Sequence, residues 1–290
     1  MNATVRRYFL SVPVLRQLYR VARKKYHRRR VVQMARQYFD NSDDYLNALD
    51  SEDGKVVRLN TKDGLKLSIR RNYMDASIVG EVFLDRCYVR GLKLPPRPVV
   101  VDVGGYIGDF ALFAVKCLNA RRVVVCEPSP RNWELLKLNV TANHYGDRIQ
   151  MVNKAVANQE CVMMNVDAPD RQQARVSAYG FSDALRTAIP AVSLTQLITD
   201  HQLNEIDLLK LDCEGAEYEI LLTTPTKVYK LISHLVFEFH EIEDHGAMLK
   251  SVRQRLHDEG FSLTTRGCLI SASRDDMRTS LLSPPVGVGA

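Results

Sequence analysis

Acidic and basic side chains collect at the ends of apolar runs in this chain. In VVVDVGGYIGDF (99–110), Asp102 stands two residues before Gly104, and Gly105 and Gly108 follow. VVVCE ends in Glu127, IDLLKLD (206–212) closes on Lys210 and Asp212, and HLVFEFHE carries Glu238 and His240. Glycines between a strand-like run and a helix-like one suit a βα turn that cradles a nucleotide. A pyrophosphate there would rest on the helix N-terminus, where free N–H groups and positive partial charge favour an anion. Asp102 would repel it. A ligand with a cationic centre and an amino group is favoured instead, and S-adenosylmethionine has both, with a carboxylate and an adenosine. Glu127, about twenty residues past the loop, is suited to accept both hydrogen bonds of a ribose diol. Alternatively, it adds charge to the N-terminus of the helix that follows.

On a strand, Lys210 and Asp212 share one face and Leu209 and Leu211 the other. A buried parallel strand rarely keeps such a pair without a partner or a task. One reading is an ion pair, for instance Lys210 with Glu238. The other is catalysis at the carboxyl ends of two neighbouring strands, with Lys210, Asp212 and His240 as the candidate catalytic residues. His240, whose ordinary pKa is near 6.5, is the better general base by chemistry and Asp212 the next. The same end permits a divalent ion such as Mg²⁺ on Asp212, Glu238 and His240. For the cofactor, the candidates are Asp102, Gly104, Gly105, Gly108 and Glu127, joined by Asn132 and Asn153. Asn153 follows the third strand, where an adenine contact is expected.

These residues must be held by a sheet. From Pro98 onward, strand-like runs (VVVDV, RRVVVCE, RIQMVNKAV, IDLLKLD, HLVFEF, FSLTTR) alternate with helix-like ones (ALFAVKCLNA, PRNWELLKLNVTANH, MLKSVRQRLHDEG). That rhythm predicts an α/β fold with a mostly parallel central sheet and helices on both faces, its ligand beyond the strands' carboxyl ends. Residues 167–192 break the rhythm, either as a substrate-facing loop or as a plain excursion. Upstream, KVVRLN, TKDG and LKLSIRR read as a hairpin. DASIVGEVFLDRCYV reads as a helix, and LPPRP as a boundary. The expected division is a basic arm with a cap or substrate-side region over 1–95, and a catalytic domain over 96–290.

Of the 290 residues, the first thirty hold ten Lys or Arg and no acid; the remainder has 30 basic against 34 acidic residues, a net charge of −4. The basic excess therefore belongs to the arm. Val14, Leu15, Leu18, Val21 and Ala22 lie at helical spacing opposite Arg16, Arg20, Arg23 and Lys24. Such a helix can meet nucleic acid or an anionic membrane, serve as a transit peptide, or pack on its own domain. No apolar run approaches the roughly 18 residues that cross a bilayer, and YFLSVPVL is short and ends at Arg16, so a soluble protein without a secretory leader is expected. Six cysteines without a CxxC pair suggest buried reduced thiols and a reducing, cytoplasmic setting.

DVGGYIGDFALF, VVVCEPSPRNWELLKLNV and LLKLDCEGAEYEIL, in this order and spacing, resemble the FkbM family of S-adenosylmethionine-dependent methyltransferases. LSIRRNYMDASIVGEVFLDRCYV is similar to that family's preceding segment. The resemblance spans roughly residues 65–245. It implies a Rossmann-like class I methyltransferase fold behind an N-terminal helical and hairpin extension. It also implies O-methylation of a small hydroxylated acceptor such as a sugar or a polyketide-like compound. Tyr106 departs from the glycine that many class I enzymes have at that position. The other readings are an RNA methyltransferase anchored by the basic arm, a nicotinamide-dependent oxidoreductase, and a non-catalytic interaction protein.

Overall fold

The computed structural model describes residues 28–164, 187–213, 215–239 and 245–274. The chain divides into two compact units between Asp85 and Arg86.

In the first unit, residues 28–38 are helical. Helix α1 (Ser42–Leu49) precedes strands β1 (Val56–Asn60) and β2 (Lys66–Arg70), which pair antiparallel with Leu59 opposite Leu67. This is the hairpin read from KVVRLN and LKLSIRR. Asn41 fastens α1 to β1: its Nδ2 donates to the Arg58 carbonyl (2.7 Å), and its Oδ1 accepts from Asn60 N (2.8 Å). Buried aromatic rings fill the unit, with Phe39 stacked on Tyr45 at 5.0 Å. The helix expected over DASIVGEVFLDRCYV is shorter and in two parts. An α-helical turn, α2 (Tyr73–Val79), is capped by the Asn72 side chain, and a π-helical turn over Gly80–Leu84 follows.

The second unit is built on a seven-stranded sheet. Its strands are β3 (Val99–Val103), β4 (Arg122–Cys126), β5 (Ile149–Val152), β9 (Ile206–Leu211), β10 (Ile232–Glu238), β11 (Ser262–Arg266) and β12 (Leu269–Ser273). They lie in the order β11-β12-β10-β9-β3-β4-β5. Every pairing from β10 to β5 is parallel, while β12 runs antiparallel to both neighbours. All residues of β3 and β9 are buried, as near-continuous apolar runs demand when both faces are covered. Helices α3 (Asp109–Cys117), α4 (Pro130–Ala142), α5 (Leu194–Asp200), α6 (Glu217–Thr223), α7 (Thr226–Tyr229) and α8 (His245–Asp258) alternate with the strands. The core packs Val101, Leu209, Leu211, Leu221, Leu235, Phe237 and Val252 together.

A single strand over RIQMVNKAV is replaced by two. After β5 the chain breaks at Asn153, and β6 (Ala155–Val156) joins a second, three-stranded sheet with β7 (Cys161–Met164) and β8 (Thr187–Val192). The polar 167–192 excursion thus returns as a strand from Thr187, carrying Pro190; residues 165–186 lie outside the described residues. Of the basic arm, only 28–30 are described. Among the described residues no helix is long and apolar enough to cross a membrane. Cys126 is buried, but Cys161 and Cys268 are exposed, because each lies at a solvent-facing position of a short strand or turn. The expectation of buried thiols therefore holds for Cys126 and not for Cys161 or Cys268.

Candidate active site

Sheet order reverses direction between β3 and β9: β4 and β5 extend one way from β3, and β9, β10 and β12 the other. Crossovers leaving to opposite faces open a crevice at the carboxyl ends there, where ligands of open α/β sheets bind. The candidate residues from 102 to 127 and from 210 to 217 converge on this point.

Asp102 and Lys210 face each other directly in the register of β3 and β9. Lys210 Nζ donates to Asp102 Oδ1 (2.8 Å) and to the Gly104 carbonyl (3.0 Å). The same ammonium lies 5.1 Å from the centre of the Tyr88 ring and 5.9 Å from that of Phe110. Burial opposes charge on Lys210, but Asp102 and Asp212 beside it outweigh that cost and hold its pKa above the ordinary lysine value. Lys210 is therefore held as the cation that partners Asp102. Its partner is Asp102 and not Glu238, for a reason of register. Lys210 stands opposite Val236 on the β10 side, so Glu238 lies two residues, roughly 6–7 Å, further along. The negative charge expected to greet a cationic ligand is thus answered from within the protein. What remains open is one buried acceptor, as Asp102 Oδ2 has no hydrogen-bond partner among the described residues.

The glycine loop passes against the end of β9. Gly104 has φ of +80°, and a Cβ placed on it would fall 1.8 Å from the Asp212 carbonyl oxygen. Gly108, at φ +83°, is the N-cap of α3. Between them Tyr106 also adopts a left-handed backbone (φ +49°), which accounts physically for glycine being at home there. Gly105 is buried, and the loop is braced from α4, where the buried Asn139 donates from Nδ2 to the Ile107 carbonyl (2.8 Å).

Glu127 leaves β4 into the same crevice. Its Oε2 accepts from Tyr106 N (2.8 Å), while its Oε1 accepts from Ser129 N (2.8 Å) and from Asn132 Nδ2 (3.3 Å). Asn153 Nδ2 donates to the Glu127 carbonyl (2.8 Å). Both candidate asparagines therefore converge on Glu127, and the acid ties the loop to the start of α4. Burial pushes its pKa up to about 7 despite those three donors.

Asp212 follows the last residue of β9 and is buried, its Oδ2 accepting from Tyr88 Oη at 2.6 Å. Tyr88 was not singled out by sequence reasoning. It stood in DRCYV as one more apolar position, and 124 residues separate it from its acceptor, so only the fold reveals the pair. Beyond Asp212, Glu217 folds back over the turn and accepts from Cys213 N (2.6 Å) and Gly215 N (2.8 Å). The Glu217 carboxylate thereby satisfies N–H groups ahead of α6.

His240 lies outside the described residues. Among those described, no group of three or more His, Cys, Asp or Glu side chains is disposed to hold a metal ion.

Residues 102–263 match the family model described as the Methyltransferase FkbM domain, more than half of the chain. The chain belongs to the FkbM methyltransferase family. It is an S-adenosylmethionine-dependent methyltransferase. Two relatives agree. Methyltransferase sdnD of Sordaria araneosa is 24% identical over 216 residues, covering 64% of this chain and 82% of that one. The 31-O-demethyl-FK506 methyltransferase FkbM of Streptomyces tacrolimicus is 27% identical over 211 residues, covering 63% and 80%. Among solved structures, methyltransferase FkbM from Methylobacillus flagellatus KT aligns with a TM-score of 0.45 at 14% identity, over 67% of this chain and 47% of that one. Gly104, Tyr106, Asn132, Asn153 and Cys213 keep accessible surface at the carboxyl ends, where Asp102 Oδ2 is a buried acceptor without a hydrogen-bond partner among the described residues.

Proposed function

We propose that this protein is an O-methyltransferase that methylates a hydroxyl of a small molecule, with Asp212 receiving the hydroxyl proton. The observation that carries the proposal is the packing of the Gly104 loop against Asp212. The segment that would hold the cofactor packs against the backbone of the residue whose carboxylate would serve the acceptor, so close that a Cβ on Gly104 would fall 1.8 Å from the Asp212 carbonyl oxygen. The reading of the sheet as a class I methyltransferase fold is supported by its order and its single reversed strand, β12.

S-adenosylmethionine, when bound, supplies a methyl group on a positively charged sulfur. Glu127 is assigned to the ribose hydroxyls, the Asp102–Lys210 pair to fixing the loop, and Asn132 and Asn153 to the adenine side of Glu127. The protein's task is alignment, which can supply roughly 7–11 kcal/mol of the barrier, and proton removal, which adds about 10²–10⁴-fold. Asp212 would take the acceptor hydroxyl's proton on a carboxylate oxygen while that hydroxyl oxygen takes the methyl group, whose bond to the sulfonium breaks to leave neutral S-adenosylhomocysteine. Lys210 stays protonated throughout and balances the acids around it. The oxygen acceptor is favoured by the Streptomyces tacrolimicus relative, which is named for an O-demethyl substrate.

Thermal unfolding with S-adenosylhomocysteine, and separately with NAD, tests the cofactor assignment. A ligand at a hundred times its Kd adds about 2.7 kcal/mol, and that rise is expected with S-adenosylhomocysteine alone. A panel of sugars and hydroxylated polyketides then tests the acceptor by release of S-adenosylhomocysteine. Asp212→Asn is expected to lose at least a hundredfold in kcat while keeping its affinity for S-adenosylhomocysteine. Full activity in Asp212→Asn would remove the assignment and move it to His240.

A further inference from the structure

Tyr88 occupies a position that the methyl-transfer chemistry above does not by itself require. It is buried beside the sheet, at 5% exposure, yet it is a tyrosine and not a phenylalanine. Its ring has an aromatic and a cationic neighbour. The Phe110 ring, in the first turn of α3, meets it edge-on with centroids 5.3 Å apart and planes at 71°. Lys210 Nζ, which donates to Asp102 Oδ1, stands 5.1 Å from its centroid. Its hydroxyl then makes the short contact to Asp212 Oδ2.

We infer that Tyr88 is a positioning residue, which aims the Asp212 carboxylate into the crevice and couples it to the glycine-loop helix through Phe110. This inference rests on Asp212 serving the reaction. A carboxylate just past the end of a strand has two free side-chain torsions, and a buried one needs a hydrogen-bond donor to be tolerated. Tyr88 supplies that donor from a ring that cannot swing, because an aromatic edge and a cation hold it in place. A phenylalanine would fill the same space and keep both ring contacts, so packing alone does not call for the hydroxyl.

Tyr88→Phe is the test, because it removes one oxygen and leaves the ring. Three measurements on the full chain are read together: kcat and KM for S-adenosylmethionine with an acceptor from the panel, S-adenosylhomocysteine affinity by calorimetry, and a crystal structure of the variant with S-adenosylhomocysteine. The expected result is a fall in kcat of about ten- to a hundredfold, the scale that a misplacement near 1 Å brings. KM and S-adenosylhomocysteine affinity should stay within threefold of the wild type. In the crystal structure, the Asp212 carboxylate should leave its wild-type rotamer, a readout that needs no acceptor. An unmoved Asp212 with undiminished kcat would overturn the inference. So would a loss of cofactor affinity as large as the loss of kcat, which would make Tyr88 part of the cofactor site. Asp212→Asn run in parallel separates the two levels. If that variant is inactive and Tyr88→Phe is fully active, only the role of Tyr88 fails. If Asp212→Asn is itself fully active, the parent reading fails first.

Discussion

Lys210 stands level with Asp102 across two adjacent parallel strands, its ammonium 2.8 Å from one carboxylate oxygen and 3.0 Å from the Gly104 carbonyl. Both side chains are at most 3% exposed, so each charge depends on the other. Removing Lys210 alone strands a buried anion, and Lys210→Met should cost about 3–5 kcal/mol of unfolding free energy. The double variant Lys210→Met with Asp102→Asn should recover most of that loss. Urea denaturation of the four proteins gives the coupling energy, and strict additivity would deny the interaction.

Glu127 sets a pH dependence of stability with an unusual sign for a carboxylate. Its pKa is raised by burial to about 7, against an ordinary value of 4.5, so the folded state holds its proton longer than the unfolded state does. Stability from this group is therefore full below pH 4.5 and is lost as pH rises through about 7. The full excursion is on the order of 3 kcal/mol. Glu127→Gln cannot titrate. The stability advantage of wild type over this variant should fall by that amount between pH 5 and pH 8, as measured by urea melts at each pH. A difference that is flat with pH, or that grows, would contradict the assignment.

How much of this was legible in the sequence depends on the distance over which each contact acts. The strands β3, β4, β9 and β10 could be read because apolar runs of five or six residues declare burial on both faces. The acids at their ends could be found because strand ends are where such sheets present side chains. Register was not legible. Nothing in IDLLKLD says which residue of a neighbouring strand stands beside Lys210, so the sequence offers Glu238 as one possible partner and does not reveal that Asp102 is the one in register. Strands β7, β8 and β12 escaped for a different reason: β7 has only four residues of alternating exposure, β8 carries Pro190, and β12 carries two serines that weaken the apolar signal. Tyr88 was not legible as a donor, since its acceptor Asp212 lies 124 residues away, just past the end of β9.

The glycine loop should show contrasting tolerance at two left-handed positions. Tyr106 carries about 1–2 kcal/mol of backbone strain at φ +49°, so Tyr106→Gly relieves it while adding roughly 0.5–1 kcal/mol of chain entropy cost. A net change below about 1 kcal/mol is expected, with S-adenosylhomocysteine affinity retained. Gly108→Ala at φ +83° gains the same strain and brings its Cβ to 3.3 Å from Leu136 Cγ, so a loss of about 1–2 kcal/mol is expected. Calorimetric unfolding of the two variants would rank them, and the reverse order would refute the argument.

Thiol chemistry should sort the cysteines by exposure. Cys161 and Cys268 should react with a maleimide at native pH within minutes. Cys126, buried and with its thiol pushed up by that burial, should react only after denaturation. Mass spectrometry of peptides from native and denatured protein reads this directly, and early labelling of Cys126 would mean that the end of β4 opens.

Position 104 has a consequence for how this sequence can vary. The residue there contributes no side chain, no charge and no proton, yet the Asp212 carbonyl occupies the space where any side chain would begin. In a saturation library, substitutions at 104 should be purged as strongly as those at Asp212, and for geometric reasons alone. Chemical novelty in this enzyme would have to arise elsewhere, because the backbone on one side of the crevice leaves that on the other no room to drift.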